Sequence, residues 1–317
     1  MSSRAQLWLH RFAIVLAGAT LALIFVGGLV TSTGSGLAVP DWPLSFGRFF
    51  PPMVGGVFYE HGHRLVAASV GLLTVLFAVA AWLVAAPAGV RRLALVAVAV
   101  VVAQGVLGGL TVLLLLPTAI STAHACLAQA FLCLTVALAV ITAPEWSGTI
   151  AVHADSRAPL ATLAPIAAAA TYVQLVLGAV MRHSGAGLAI ADFPLAFGRL
   201  VPPFDAPGVA IHFAHRVGAL VVTALVAATA GAALARHRDD PALVRPAVLA
   251  AALVTVQLSL GALTIWTRKA VLPTTLHVLV GAALLATMIV LALRARSAAP
   301  ASRRVHASLL ARQQVPV

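Results

Sequence analysis

Long, unbroken apolar runs constrain this 317-residue chain more than any other feature. A helix that crosses a bilayer needs about 20 mostly apolar residues. Runs of that kind fall, approximately, at 9–31, 60–84, 92–116, 119–143, 160–182, 209–235, 244–266 and 272–294. A membrane β-barrel would instead show short alternating strands with a polar lumen. Charged residues make up 9% of the chain, 20 Lys+Arg and 8 Asp+Glu. Soluble domains carry about 25%, so a soluble enzyme, a disordered chain and a secreted disulfide scaffold are all excluded. The expected fold class is all-α integral membrane, with eight transmembrane helices. The first run has Arg4 and Arg11 at its N-terminal end, as a signal peptide would. It continues through Phe25 to Val30 with no small-residue cleavage site, so it reads as a retained span.

The net charge of +12 does not point to nucleic acid, because the basic residues punctuate the apolar runs and form no polar domain. They set orientation instead. One side carries Arg4, Arg11, Arg91, Arg92, Arg157, Arg236, Arg238, Arg245, Arg294, Arg296, Arg303, Arg304 and Arg312. The other carries Arg48, Arg182, Arg199, Arg268 and Lys269. This bias places both termini in the cytoplasm of a multi-pass plasma-membrane protein, and the long loops at about 32–59 and 183–208 face outward. Cys126 and Cys133, seven residues apart on one helix, are about 10 Å apart along its axis, too far for a disulfide.

The chain repeats itself once. Asp41-Trp42-Pro43-Leu44-Ser45-Phe46-Gly47-Arg48 is echoed by Asp192-Phe193-Pro194-Leu195-Ala196-Phe197-Gly198-Arg199. His63-Arg64 matches His215-Arg216, Gln104 matches Gln257, and His124 matches His277, in order and with little drift. Four spans per half insert both halves the same way up, so the repeat is parallel. Two four-helix bundles are expected, over residues 1–150 and 151–317. Small residues such as Gly105, Gly108, Gly109, Gly178, Gly218 and Gly261 would let the helices approach closely.

The repeat puts one histidine near the outer end of each even-numbered span: His63, His124, His215 and His277. An ionisable group inside an apolar segment is costly and is a functional candidate by default. A single histidine could simply bridge helices by hydrogen bonding, but four at one depth, paired by a repeat, argue for more. Two imidazoles per bundle suit a haem iron, one haem site in each half. A zinc site would prefer Cys, His and carboxylates in a tetrahedron, and it fits poorly in the second half, where no carboxylate or Cys stands beside the pair. Arg64 and Arg216 either pair with haem propionates or snorkel outward. Glu60 precedes His63 by three residues, whereas His212 holds that position before His215. Glu60 is either an acid beside a haem edge or an exposed residue at a helix start, where negative charge suits the dipole. His61 and His183 read as wet, Met181 as packing, and Trp42 and Trp266 as an interfacial belt. His10, His153, His237 and His306 read as solvated on the cytoplasmic side.

Gly27-Gly28-Leu29-Val30-Thr31, Thr33-Gly34-Ser35-Gly36-Leu37, Pro40-Asp41-Trp42-Pro43 and Glu60-His61-Gly62-His63-Arg64 closely resemble the heme A synthase family. Gly108-Gly109-Leu110-Thr111, His124, His215-Arg216 and His277 fit as well, so the resemblance covers nearly the whole chain. It implies a membrane oxidoreductase that oxidises a methyl group of heme O to the formyl group of heme A for terminal oxidases, through an alcohol and a hydrated aldehyde. His215 and His277 would then be ligands of a resident heme b. His63 and His124 would face or ligate the substrate haem, and Glu60 would be the catalytic carboxylate. Heme O synthase and an electron acceptor are the implied partners. Many members carry a cysteine pair in the first outer loop; here that loop has none, and Val39 stands where one of them would be. A thiol–disulfide step in that loop is therefore unavailable. The competing reading is a di-haem electron-transfer cytochrome that changes no substrate, which would have no need of Glu60. A transporter is disfavoured, since the repeat is parallel and no span is broken at mid-membrane.

Overall fold

Apolar runs this long hold helix from end to end, because a helix satisfies its own backbone in hydrocarbon. The computed structural model describes residues 2–146 and 158–297. His153 and His306 lie outside the described residues, as do Arg157, Arg303, Arg304 and Arg312 from the orientation argument. Among the described residues the long helices are α1 (Ser3–Ser32), α2 (Gly56–Leu83), α3 (Ala88–Leu113), α4 (Thr118–Ile141), α5 (Ala158–His183), α6 (Pro207–Arg236), α7 (Pro241–Trp266) and α8 (Val271–Arg296). All eight are long and apolar enough to cross a membrane. Several extend past their apolar runs. Helix α1 starts at Ser3 because the Ser2 hydroxyl accepts the Ala5 N–H at 3.2 Å.

Helix α1 packs on α2 and α4, and α3 packs on the same two. In the second half α5 packs on α6 and α8, and α7 on the same two. The halves meet where α8 lies against α1 and α4, and α4 against α5. Ile24, Leu132, Val136 and Ala282 form the apolar seam there. Polar side chains reinforce it. Arg182 donates to the Gly28 carbonyl and to the Ser32 hydroxyl at 2.8 Å, and Thr275 donates to Ser32 at 2.9 Å. In a bilayer, contacts of this kind and close packing hold helices together, since lipid tails compete for apolar surface.

The two long outer loops fold alike. Phe46-Gly47 and Phe197-Gly198 adopt positive φ between the bridged pairs Ser45/Arg48 and Ala196/Arg199. A turn with two consecutive positive φ values suits a glycine at one of them. Asp41 fixes the first turn by accepting the Phe46 and Gly47 N–H groups at 2.6 and 2.8 Å. Asp192 accepts those of Phe197 and Gly198 at 2.8 and 2.9 Å. The repeated octapeptide is therefore a repeated loop, closed by a carboxylate on two backbone donors.

Those donors, Gly47 and Gly198 foremost, hold both carboxyls below their ordinary pKa of 3.8. A depressed carboxyl contributes stability above its unfolded value and loses it as pH falls through the folded value. Both loops should therefore hold at neutral pH and loosen only in acid, below pH 3.8. Asp41→Asn leaves one acceptor oxygen for two donors. Hydrogen exchange should then accelerate at the Phe46 and Gly47 amides and stay unchanged at Phe197 and Gly198.

Candidate functional site

The two large apolar clusters occupy the helix halves remote from the long loops. Leu9, Leu16, Phe77, Ala97 and Leu138 belong to the first, and Leu160, Val226, Leu243, Met288 and Leu291 to the second. Near the long loops, histidine, glycine and glutamine come together between the helices. His63, His124, His215 and His277 lie six to eight residues in from the N-terminal ends of α2, α4, α6 and α8. At the helical rise this is about 9–12 Å along each helix axis.

Each imidazole rests against a glycine of the preceding helix, five residues before that helix ends: Gly27, Gly108, Gly178 and Gly261. A Cβ added there would stand 3.0, 3.1, 3.0 and 3.2 Å from Cε1 of His63, His124, His215 and His277 respectively. The missing side chain is what lets the ring lie on the neighbouring backbone. Three rings have a glutamine beside them as well. The amide nitrogens of Gln104 and Gln174 donate to the main-chain carbonyls of His124 and His215 at 2.9 and 2.7 Å. The Gln257 amide lies 3.4 Å from the His277 ring, whose Nδ1 donates to the Gln257 main-chain carbonyl at 3.2 Å.

These residues suit a haem iron better than a bare ion. The ring centres of His215 and His277 are 6.4 Å apart with planes at 71°. Two imidazoles on opposite sides of one metal ion, each bonded at about 2.0–2.1 Å, place their centres roughly 6 Å apart. No group of three or more His, Cys, Asp or Glu among the described residues is placed to hold an ion unaided. A porphyrin supplies its own four nitrogens and needs only axial partners. In the first half, the buried Nδ1 atoms of His63 and His124 have no hydrogen-bond partner, an arrangement rare without a further function.

Glu60 is not an exposed helix-start residue; it is 3% exposed, inside the first turns of α2. One carboxylate oxygen accepts the Val39 N–H at 2.8 Å, and the other accepts the Arg64 guanidinium at 2.7 Å. Arg64 also donates to the carbonyls of Asp41 and Leu44 at 2.7 and 2.8 Å. In the second half His212 takes the place of Glu60 and accepts the Ile190 N–H at 3.2 Å. Arg216 donates to the carbonyls of Ile190, Asp192 and Leu195. Both arginines therefore turn toward their loops and neither simply snorkels. The comparison also isolates what Glu60 adds: a neutral imidazole can tether the loop, so the carboxylate contributes charge and basicity that the second half lacks.

Other expectations need correcting. His61 is buried, not wet, and pairs with the Ser45 hydroxyl at 2.8 Å. His10 is not merely solvated, because its Nδ1 pairs with the Ala139 carbonyl at 2.9 Å and ties α1 to α4. His183 is half-buried at the end of α5. Trp42 does more than sit at an interface: its indole covers Gly109, where a Cβ would come within 2.6 Å of the ring. In the second half the smaller Phe193 shares a groove with Ala262, the counterpart of Gly109. Gly27, Gln174 and the seam residue Arg182 went unremarked as site residues in the sequence. The available signal was Gln-x-x-x-Gly near the ends of α3, α5 and α7.

The sequence matches the cytochrome oxidase assembly protein family over residues 54–290. It is 36% identical to the heme A synthase of Symbiobacterium thermophilum, over 79% of this chain and 84% of that protein. It is 31% identical to the heme A synthase of Shouchella clausii, over 83% and 89%. It is 29% identical to that of Alkalihalophilus pseudofirmus, over 85% and 91%.

The glycine cradles make a direct test. Gly178→Val should push the His215 ring off α5, since even a Cβ would reach 3.0 Å from it. Haem bound by the purified protein should fall as far as in His215→Ala, with helix content unchanged by circular dichroism. Unchanged haem would mean that the cradle does not position the ligand.

Proposed function

The chain belongs to the heme A synthase family of cytochrome oxidase assembly proteins, and from that premise we propose how its own residues convert heme O to heme A. It is a multi-pass membrane oxidoreductase that oxidises a methyl substituent to a formyl group, supplying heme A for terminal oxidases. In this reading residues 1–150 form the substrate half and residues 151–317 the cofactor half, with both termini cytoplasmic in the plasma membrane. The observation that carries the assignment is the His215–His277 couple, whose ring spacing of 6.4 Å fits one shared iron.

His215 and His277 hold a resident heme b, which supplies one-electron redox chemistry when bound. His63 and His124 hold the substrate heme O by its iron, so that its periphery keeps a fixed relation to Glu60. Oxidation of the methyl group runs through the alcohol and the hydrated aldehyde, which loses water to leave the formyl group. With water supplying the oxygen, each of the two oxidations breaks a C–H bond, forms a C–O bond and releases two protons and two electrons, the electrons going to the acceptor. In this reading Glu60 takes up one of the protons, and its negative charge favours positive charge developing beside it. Arg64 and the Val39 amide fix the direction in which the carboxylate points. Any propionate contact by Arg64 or Arg216 would have to share a guanidinium already bonded to loop carbonyls.

Electrons pass to a separate acceptor without a loop thiol, since Cys126 and Cys133 are both in α4 and unpaired. Heme O reaches the site from a heme O synthase. A di-haem cytochrome would share the histidine couples but gains nothing from a carboxylate confined to one half.

Glu60→His separates the two roles of that residue. The variant should tether the loop as His212 does, leaving the Val39 amide protected from exchange and the resident haem bound. Formation of heme A should fall by about 10²–10⁴-fold, the usual worth of a positioned acid–base group. Turnover close to that of the parent would reduce Glu60 to a tether. Absence of any formyl-haem product from the parent protein, co-expressed with a source of heme O, would favour the electron-transfer reading. His215→Ala and His277→Ala should each strip the resident haem, read from the visible spectrum.

A further inference from the structure

The four histidines share one cradle but not one set of neighbours. Gln104, Gln174 and Gln257 each stand one helical turn before the cradling glycine, on α3, α5 and α7. On α1 the same step before Gly27 is Leu23. The three amides lie 3.5 Å from Nε2 of His124, 3.1 Å from Nδ1 of His215 and 3.4 Å from Nε2 of His277. His63 has no amide beside it; its Nδ1, like that of His124, is buried without a partner.

The glutamines carry a second common feature. Oε1 of Gln104, Gln174 and Gln257 is buried and unpartnered in all three. A buried carbonyl oxygen left unpaired costs free energy. A ring bonded to a metal through one nitrogen presents an N–H at the other, and that N–H needs an acceptor. At His124 and His215, rotation of the amide would bring its idle oxygen to an N–H on the ring nitrogen it already faces, fixing the ring's tautomer and orientation and making the other nitrogen a stronger donor to iron; at His277 the Gln257 main-chain carbonyl already takes the Nδ1 proton. Leucine cannot do this.

We propose that Gln104, Gln174 and Gln257 are positioning residues for the iron-binding imidazoles, and that Leu23 leaves His63 as the one exchangeable ligand. The inference rests on the haem reading above and adds a division of labour to it. The second-half couple is buttressed on both sides, as suits a group that stays. The first-half couple is firm at His124 and weak at His63, as suits a haem that must enter as substrate and leave as product. His63 is also the histidine one turn from Glu60, so the loosely held axial position and the carboxylate lie on the same helix.

The test uses the full-length protein in detergent, loaded with iron protoporphyrin IX, with apomyoglobin as the trap for released haem. Leu23→Gln should slow haem release from the first half by about 10–100-fold, the usual worth of a ligand's hydrogen-bonding partner. It should also move that haem toward the low-spin spectrum of a firm bis-imidazole site, with the second-half haem unchanged. Gln174→Leu should speed release from the second half by a similar factor, and Gln174→Glu, which keeps an acceptor, should restore retention. Unchanged release and spectrum in Leu23→Gln, together with full retention in Gln174→Leu, would overturn the proposal. Should Leu23→Gln fail to fold, Gln104→Leu decides, because it should speed first-half release and an unchanged rate would count against the proposal. His63→Ala and His124→Ala guard the premise. If neither alters first-half haem, the haem reading itself fails, whereas a first-half haem that depends on them and ignores Leu23→Gln defeats only this inference.

Discussion

The contact on which the rest depends is an imidazole lying on bare helix backbone inside a membrane. A histidine among lipid-spanning helices has no bulk water to satisfy it and must find a polar partner or a metal. Four times here the preceding helix offers a glycine at the same step, 3.0–3.2 Å from the ring if a Cβ were present. Any larger side chain would turn the ring away. The apolar clusters sit toward the opposite ends of the helices, so close apolar packing and the histidines occupy different halves of the same helices.

Duplication gives the two halves a common frame, and a few departures give them different side chains near the histidines. Glu60 and His212 perform the same tether on Val39 and Ile190, but only one of them is a carboxylate. Leu23 interrupts a pattern of glutamines kept on three other helices. Trp42 over Gly109 becomes Phe193 beside Ala262, a trade of ring size against backbone clearance. All three departures lie near the loop-facing ends, where the histidines are. Arg182, Ser32 and Thr275 join the halves at that same level.

Much of this was legible in the sequence, and what was not has physical reasons. Spans announce themselves by apolar length, and the repeat by its octapeptide and histidines. Helix starts were placed late where polar residues precede the apolar run. Position alone left Glu60 open between a haem-edge acid and a helix-start residue, because its burial depends on Val39 and Arg64, one of them on a loop 21 residues away. His61 read as wet for the same reason, since its partner Ser45 lies on that loop. The cradles were hidden because a glycine beside a histidine is a fact about two helices, and sequence periodicity describes one. Gln174 escaped because the repeat pairs it with Leu23, and its likeness to Gln104 appears only once α3 and α5 are seen to present it alike.

Iron position is the most direct measurement. Crystals of the haem-loaded protein, measured at the iron absorption edge, should show two anomalous peaks. One should lie between His215 and His277, and one within reach of His63 and His124. A single peak away from both couples, or irons bound at the protein surface, would contradict the assignment of these histidines.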